Sequence, residues 1–302
     1  MQYLYDDGSG LVFMDMDNYE QLTIPREQVK EEMNYLQENM EVQDVTPGLA
    51  VVIVGDDPAS QRYVRSKEKK AKELGIFSIK RALPESVTQS ELVQIVKDLN
   101  HDDRINGILV QSPLPDHIDE EQIIATIDPK KDVDGFHPVN VGKLFLNLKG
   151  HYPVACTPKG IMTLLAKYKI NLDGKNIVVV GRSSIVGKPM LALMLNADAT
   201  VIDVHSHTDD ISKYTKHADI VISAVGKYAI LNDDDFKPGA VVIDVGQNMD
   251  ENGKLAGDVA YKAKSDNIEF ITPVPGGVGP MTIATLMQQT VDMCEWSKKI
   301  GK

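Results

Sequence analysis

Two cysteines, Cys156 and Cys294, are too few for a disulfide framework or a four-cysteine zinc site. A reducing, cytoplasmic setting is the resulting expectation. Positive charge is also scarce: 32 Lys and Arg stand against 44 Asp and Glu, a formal net charge of -12. An acidic chain is repelled by phosphate backbones unless its bases cluster, which argues against nucleic acid as the main partner. No apolar run approaches the roughly 18 to 20 residues of a membrane span. The opening MQYLYDDGSG lacks the basic-then-apolar layout of a signal peptide. Internal repeats and low-complexity segments are missing as well.

What is present is an ordinary globular composition, 42% hydrophobic and 25% charged. At about 150 residues per domain, 302 residues favour two domains over one. Short apolar runs recur: LAVVIVG (49–55), GILV (107–110), NIVVVG (176–181), ATVIDV (199–204), DIVISAVG (219–226), AVVIDVG (240–246) and IEFIT (268–272). Runs of that length without polar alternation predict strands covered on both faces, as in a parallel sheet. Helix-like stretches lie between them, SQRYVRSKEKKAKELG, SELVQIVKDLN, TPKGIMTLLAKYK and GKPMLALMLN, which makes the chain α/β.

The stretch 128–160 is rich in Pro, Gly and Asp, carries no long periodic segment, and reads as the connection between two α/β domains around a cleft. PVPGGVGPM (273–281) reads as irregular, whereas residues 282–299 predict a helix that crosses back onto the first domain. At the N-terminus, YLY, LVFMDM and YEQLTI predict a hairpin and one further strand, and a helix should follow from about Arg26 to Met40.

The strongest local signal is NIVVVGRSSIVGKPMLALML. A strand ends at Gly181, and a helix opens near Gly187 with Pro189 in its first turn. Such a turn lets backbone amides approach a pyrophosphate at a helix N-terminus. The spacing is G-x5-G, not G-x-G-x-x-G, so a merely tight strand-to-helix turn also accounts for it. The next strand runs into His205, Ser206 and His207; Ser206 with Arg182 leans toward NADP, while Asp203 is the counter-signal for NAD. The two histidines suggest either a metal or a solvated strand end, and no third ligand lies nearby.

Tyr63 and Lys67, four apart, share a helical face just after a strand end. Such a lysine is either solvated or tucked beside apolar surface, where its pKa falls and it serves as acid or base. Gln111 follows GILV directly, and Asp132 and Asp134 lie in KDVDGFHP, where acids are commonly turn formers. Together these polar groups would face a nucleotide site across a cleft.

From about Pro47 onward the chain resembles the bifunctional methylenetetrahydrofolate dehydrogenase/cyclohydrolase family. The resemblance rests on PGLAVVIVGDDPASQRYVRSK, NGILVQSPLP, KKDVDGFHPVNVGKL, CTPKGIM, VVVGRSSIVGKPM, GAVVIDVG, GDV and ITPVPGGVGPMTIATLM, in the family's order. It implies NADP-dependent oxidation of methylenetetrahydrofolate to the methenyl form and hydrolysis to formyltetrahydrofolate in one cleft, in one-carbon metabolism. It further implies a folate-binding catalytic domain at 45–155 and 281–302, a Rossmann-like NADP domain at 156–280, and a homodimer.

By the same resemblance, Lys67 is the catalytic lysine of the hydrolytic step, tuned by Gln111; Tyr63 stacks on the substrate and Asp134 anchors the pterin. Pro275, Gly276 and Gly279 close over the substrate. Gly181, Arg182, Ser183, Val186, Gly187, Ser206, Val225, Gly226 and Gln247 meet the nucleotide, and no metal is implied. Ser112 stands where Leu is more usual, and Gln247 where an apolar residue commonly follows IDVG. The alternatives are a monofunctional dehydrogenase and a catalytically silent fusion.

The fusion idea comes from residues 1–44, which resemble part of the middle, OB-fold domain of elongation factor P through QYLY, VFMD, YEQ and ENMEV. The family's own opening segment and first helix are expected to be missing, with the Arg26–Met40 helix in the latter's place.

Overall fold

The computed structural model describes residues 1–16, 18–29, 46–260 and 265–299. The chain divides into two compact units, Met1–Thr46 and Pro47–Lys302. In the first, β1 (Gln2–Asp6), β2 (Gly10–Met14) and β3 (Gln21–Pro25) form one antiparallel meander. Asp7 shapes the first turn, its Oδ1 accepting from the amides of Ser9 (2.8 Å) and Gly10 (2.9 Å). Tyr3, Leu11 and Phe13 make a small core. Most of the predicted Arg26–Met40 helix lies outside the described residues; only a 3-10 turn at Arg26–Gln28 is seen.

The second unit begins with β4 (Gly48–Val54), α1 (Pro58–Glu73), β5 (Phe77–Leu83), α2 (Gln89–Asn100), β6 (Gly107–Val110) and α3 (Glu120–Thr126). These strands form a parallel sheet in the order β5-β4-β6. Every residue of β4 is buried, because helices cover both faces, which explains its unbroken apolar run. Next come α4 (Pro138–Phe145), α5 (Cys156–Lys167), β7 (Asn176–Val180), α6 (Gly187–Asn196), β8 (Thr200–Val204), α7 (Ser212–Thr215), β9 (Ile220–Ser223) and β10 (Ala240–Asp244). The short pair β11 (Asn248–Met249) and β12 (Leu255–Ala256) precedes β13 (Ile268–Ile271) and α8 (Val278–Lys299). The second sheet is five-stranded and parallel, in the order β13-β10-β9-β7-β8.

Each sheet has a switch point where chain order reverses, at β4 in the first and β7 in the second. Open α/β sheets bind ligands there, beyond the carboxyl ends of the strands. The last helix, α8, packs Leu286, Met287 and Met293 against Leu49, Val51 and Ile53 of β4.

Two readings of the sequence need correction. The stretch 128–160 does contain a helix, α4, started by Pro138 and capped by His137, whose Nδ1 accepts from the Val139 amide at 3.1 Å. Its eight residues are too short to show periodicity. The irregular segment after β13 ends sooner than expected, since α8 already begins at Val278; Gly279 and Pro280 fall in its first turn, where neither breaks a helix.

Candidate active site

On α1, Ser60, Val64, Lys67 and Ala71 all point into the protein and are buried. Lys67 thus takes a core position on an otherwise apolar stripe and is only 5% exposed. Its Nζ donates to Gln111 Oε1 at 3.1 Å and lies 4.9 Å from the centre of the Tyr63 ring. Gln111 comes from the end of β6, next to β4 in the same sheet. Its Nε2 donates to the Ser112 carbonyl at 2.8 Å, which fixes the amide so that its oxygen faces the lysine.

Burial drives the Lys67 pKa below its ordinary value, opposed by the negative charge of Asp134. Burial likewise raises the Asp134 carboxyl, with Lys67 pulling it back. Both groups are shifted toward their neutral forms.

Asp132 and Asp134, two apart, have different duties. Asp132 is buried and accepts from the amides of Phe136 (3.2 Å) and His137 (2.9 Å) and from Asn140 Nδ2 (2.8 Å). It is the turn former. Asp134 takes part in no such backbone set and stays electrostatically coupled to Lys67. The turn is held from α8 by the fully buried Gln289, whose Nε2 donates to the Val133 and Val154 carbonyls at 2.6 and 2.9 Å.

In the second sheet the turn after β7 is tight for a visible reason. A Cβ on Gly187 would lie 1.8 Å from the Gly181 carbonyl oxygen, so helix and strand end touch here. Ser183 Oγ accepts from the amides of Val186 (3.1 Å) and Gly187 (3.4 Å), capping α6 from within the turn. Arg182, Ser183 and Ser206 are exposed. Asp203 on β8 is only partly buried; desolvation raises its carboxyl pKa, and His205 and Arg182 counter it.

A cavity of about 340 Å³ joins the two sheets' switch points. Tyr63, Val186, Val225, Gly226, Gln247 and Gly279, all expected, line it. So do Thr157 and Thr282, which the sequence reading missed, with their hydroxyls 2.9 Å apart. Lys67, Gln111 and Asp134 are not on its surface but stand behind Tyr63, while Pro275 and Gly276 are exposed in the turn before α8. Among the described residues no three His, Cys, Asp or Glu side chains converge as a metal site.

A glycine-tight turn at a helix N-terminus beside a cavity between two parallel sheets, with a buried lysine packed on the cavity's Tyr63, fits a dinucleotide-dependent α/β dehydrogenase. The chain belongs to the tetrahydrofolate dehydrogenase/cyclohydrolase family: the model of its NAD(P)-binding domain matches residues 155–298, and that of its catalytic domain residues 22–134. The bifunctional protein FolD of Levilactobacillus brevis is 61% identical over 258 residues, 85% of this chain and 90% of that one. The crystal structure of the bifunctional FolD dehydrogenase/cyclohydrolase from Campylobacter jejuni superposes with a TM-score of 0.81 at 50% identity, covering 83% of this chain and 89% of that one. A Trypanosoma brucei methylenetetrahydrofolate dehydrogenase-cyclohydrolase, solved with NADP cofactor and inhibitor, gives 0.80 at 40% identity, covering 84% and 88%. The family match starts at residue 22, upstream of Pro47 where the quoted motifs begin.

Proposed function

We propose that this chain oxidises methylenetetrahydrofolate to the methenyl form with NADP and hydrolyses that product to formyltetrahydrofolate, with Lys67 as the proton carrier of the second step. The observation that carries the assignment is the buried Lys67 Nζ, oriented at 3.1 Å by Gln111 and depressed in pKa by burial. The nucleotide turn fits NADP: the Gly187 to Gly181 contact and the N-terminus of α6 form a cradle that no larger residue would leave open. NADP, when bound, supplies the acceptor for the hydride that leaves the methylene carbon.

This chain's own groups do the rest. Tyr63 offers a ring face at the junction, where a flat substrate ring stacks. Asp134 anchors the pterin, and its charge keeps part of the Lys67 population protonated. In hydrolysis, water oxygen bonds to the methenyl carbon while neutral Lys67 Nζ takes one of its protons; the ammonium then returns that proton to the ring nitrogen as the carbon–nitrogen bond breaks, and the remaining hydroxyl proton is released to solvent as the formyl C=O forms. Gln111 Oε1 holds Nζ in place through the exchange. Arg182, Ser183 and Ser206, exposed beside the α6 N-terminus, meet the ribose phosphate, while Gly181, Val186, Val225, Gly226 and Gln247 complete the nucleotide wall. Pro275, Gly276 and Gly279 cover the substrate.

We assign 45–155 with 281–302 to the folate-binding domain and 156–280 to the NADP domain. A homodimer belongs to the same reading: β8 ends the second sheet with a free edge and Ile202 exposed. Cytoplasmic placement is supported by two buried free thiols, and no described helix is long and apolar enough to cross a membrane. We assign residues 1–44 to an elongation-factor-P-like appendage; their described part carries a three-stranded antiparallel meander within Gln2–Pro25, although the family match overlaps them from residue 22. The test is to mix protein, methylenetetrahydrofolate and NADP and follow NADPH and methenyl product together. NADPH with little methenyl accumulating supports both steps; methenyl accumulating at the rate of NADPH formation would leave a dehydrogenase alone.

A further inference from the structure

The walls of the nucleotide cleft are themselves held by two buried carboxylates that none of the roles above uses. Asp258 is fully buried, and no ion pair reaches it among the described residues. Its Oδ2 accepts from Ser223 Oγ (3.0 Å), the Val225 amide (2.7 Å) and the Gly226 amide (3.4 Å). Its Oδ1 accepts from the Lys227 amide (3.0 Å) and Asn248 Nδ2 (3.0 Å). Three successive amides therefore converge on one carboxylate, the way a loop winds around a bound anion.

Two of those amides belong to Val225 and Gly226, which line the cavity, and Asn248 adjoins Gly246 and Gln247, which line it too. Asp244, one layer behind, accepts from the amides of Asp258 (2.9 Å), Val259 (2.9 Å) and Gly246 (3.0 Å). Space is fully taken: a Cβ on Gly257 would lie 1.9 Å from Asp244 Oδ2, and one on Gly246 would lie 2.2 Å from Asp258 Oδ1.

We propose that Asp258, seated on Asp244, is a positioning residue for dinucleotide binding, its carboxylate holding loops 224–227 and 245–248 in the shape that receives NADP. This rests on reading the cavity as the NADP cleft. Asparagine cannot replace it. Whichever oxygen becomes an amine, that amine faces a backbone N–H, of Val225 and Gly226 on one side or Lys227 on the other, and backbone donors cannot turn to accept.

The test separates the two activities, since methenyl hydrolysis needs Lys67 and no nucleotide. Asp258→Asn should raise the KM for NADP at least about tenfold, the scale of one buried amide left unpaired, with kcat within about threefold and hydrolysis within about twofold. Equilibrium dialysis of NADP against both proteins reads the same loss directly. Gly257→Ala, whose nearest clash is with the Asp244 carboxylate, should weaken NADP in the same direction. As a control, Val178→Ala in the β7 core should destabilise the same sheet without moving the KM for NADP.

An unchanged KM, a parallel loss of hydrolysis, or an equal KM shift in Val178→Ala overturns the proposal and leaves Asp258 a merely structural acid. Should Asp258→Asn not fold, Asn248→Ala decides: a KM raised about threefold supports the proposal, and no change overturns it. Wild-type protein that does not bind NADP at all defeats the functional reading instead, a separate outcome.

Discussion

Asp258, within the NAD(P)-binding domain match, and Asp134, within the catalytic domain match, are both acids near the cavity, and they differ in how many donors they meet. Five hydrogen bonds from two loops and Ser223 surround Asp258. Asp134 has no such set and is balanced mainly by Lys67. A carboxylate ringed by amides is fixed in place, so it shapes a loop. One short of donors stays available to a substrate or a proton carrier. The same contrast holds two residues apart, where Asp132 closes the turn and Asp134 does not.

The largest expected break in that comparison is Lys67→Met. Hydrolysis of methenyltetrahydrofolate should fall at least about 100-fold, the scale of a lost acid–base group, with NADP binding by dialysis unchanged. Unaltered formyl-folate production would remove Lys67 from its role.

Asp134→Asn sharpens the comparison through pH. With the neutral amine of Lys67 as the proposed proton acceptor, hydrolysis should climb as pH rises through the lysine pKa. Burial lowers that pKa, which puts the midpoint below the roughly 10.4 of a free lysine. The Asp134 charge favours the ammonium and raises the pKa; removing it should move the midpoint to lower pH still, with a higher KM for folate. A midpoint that moves upward in a pH–rate profile would contradict the coupling.

Gln289→Leu tests whether α8 holds the Asp134 turn. It strands the Val154 carbonyl and amide and leaves the Val133 carbonyl only the Cys156 thiol, so chemical unfolding should show a loss of about 2 to 3 kcal/mol. Ser183→Ala should cost about 1 kcal/mol through the lost cap of α6, together with a few-fold rise in the KM for NADP. The smallest effect belongs to the N-terminal meander: without residues 1–20, initial rates of both reactions should stay within about twofold, since the family match begins at residue 22.

Much of this was legible before any coordinates. The unbroken apolar runs gave both parallel sheets, because a strand covered on two faces needs no polar alternation. β5, FSIKRAL, does not read as a strand in the sequence because it lies at a sheet edge and its polar residues break the run. The helix α3 is only seven residues long, too few for a period to show. Lys67 carried a stronger signal than its neighbour Tyr63: it sits on the stripe of Val64 and Ala71, a charged residue where an apolar one belongs. Gln289, between Leu286 and Met293 on α8, carries the same signal. A polar residue on an apolar stripe must find partners inside, and both do.

The sequence by itself determined the α/β class, the strand runs, the tight Gly181 to Gly187 turn and the family of the site, since these depend on local pattern and on ordered motifs. Only the tertiary structure decided which of two neighbouring acids closes a turn, that Gln111 faces Lys67 from 44 residues away, and that Asp258 gathers the amides of a loop more than 30 residues before it. Those are hydrogen bonds between segments distant in the chain, and their partners are set by which strands lie side by side.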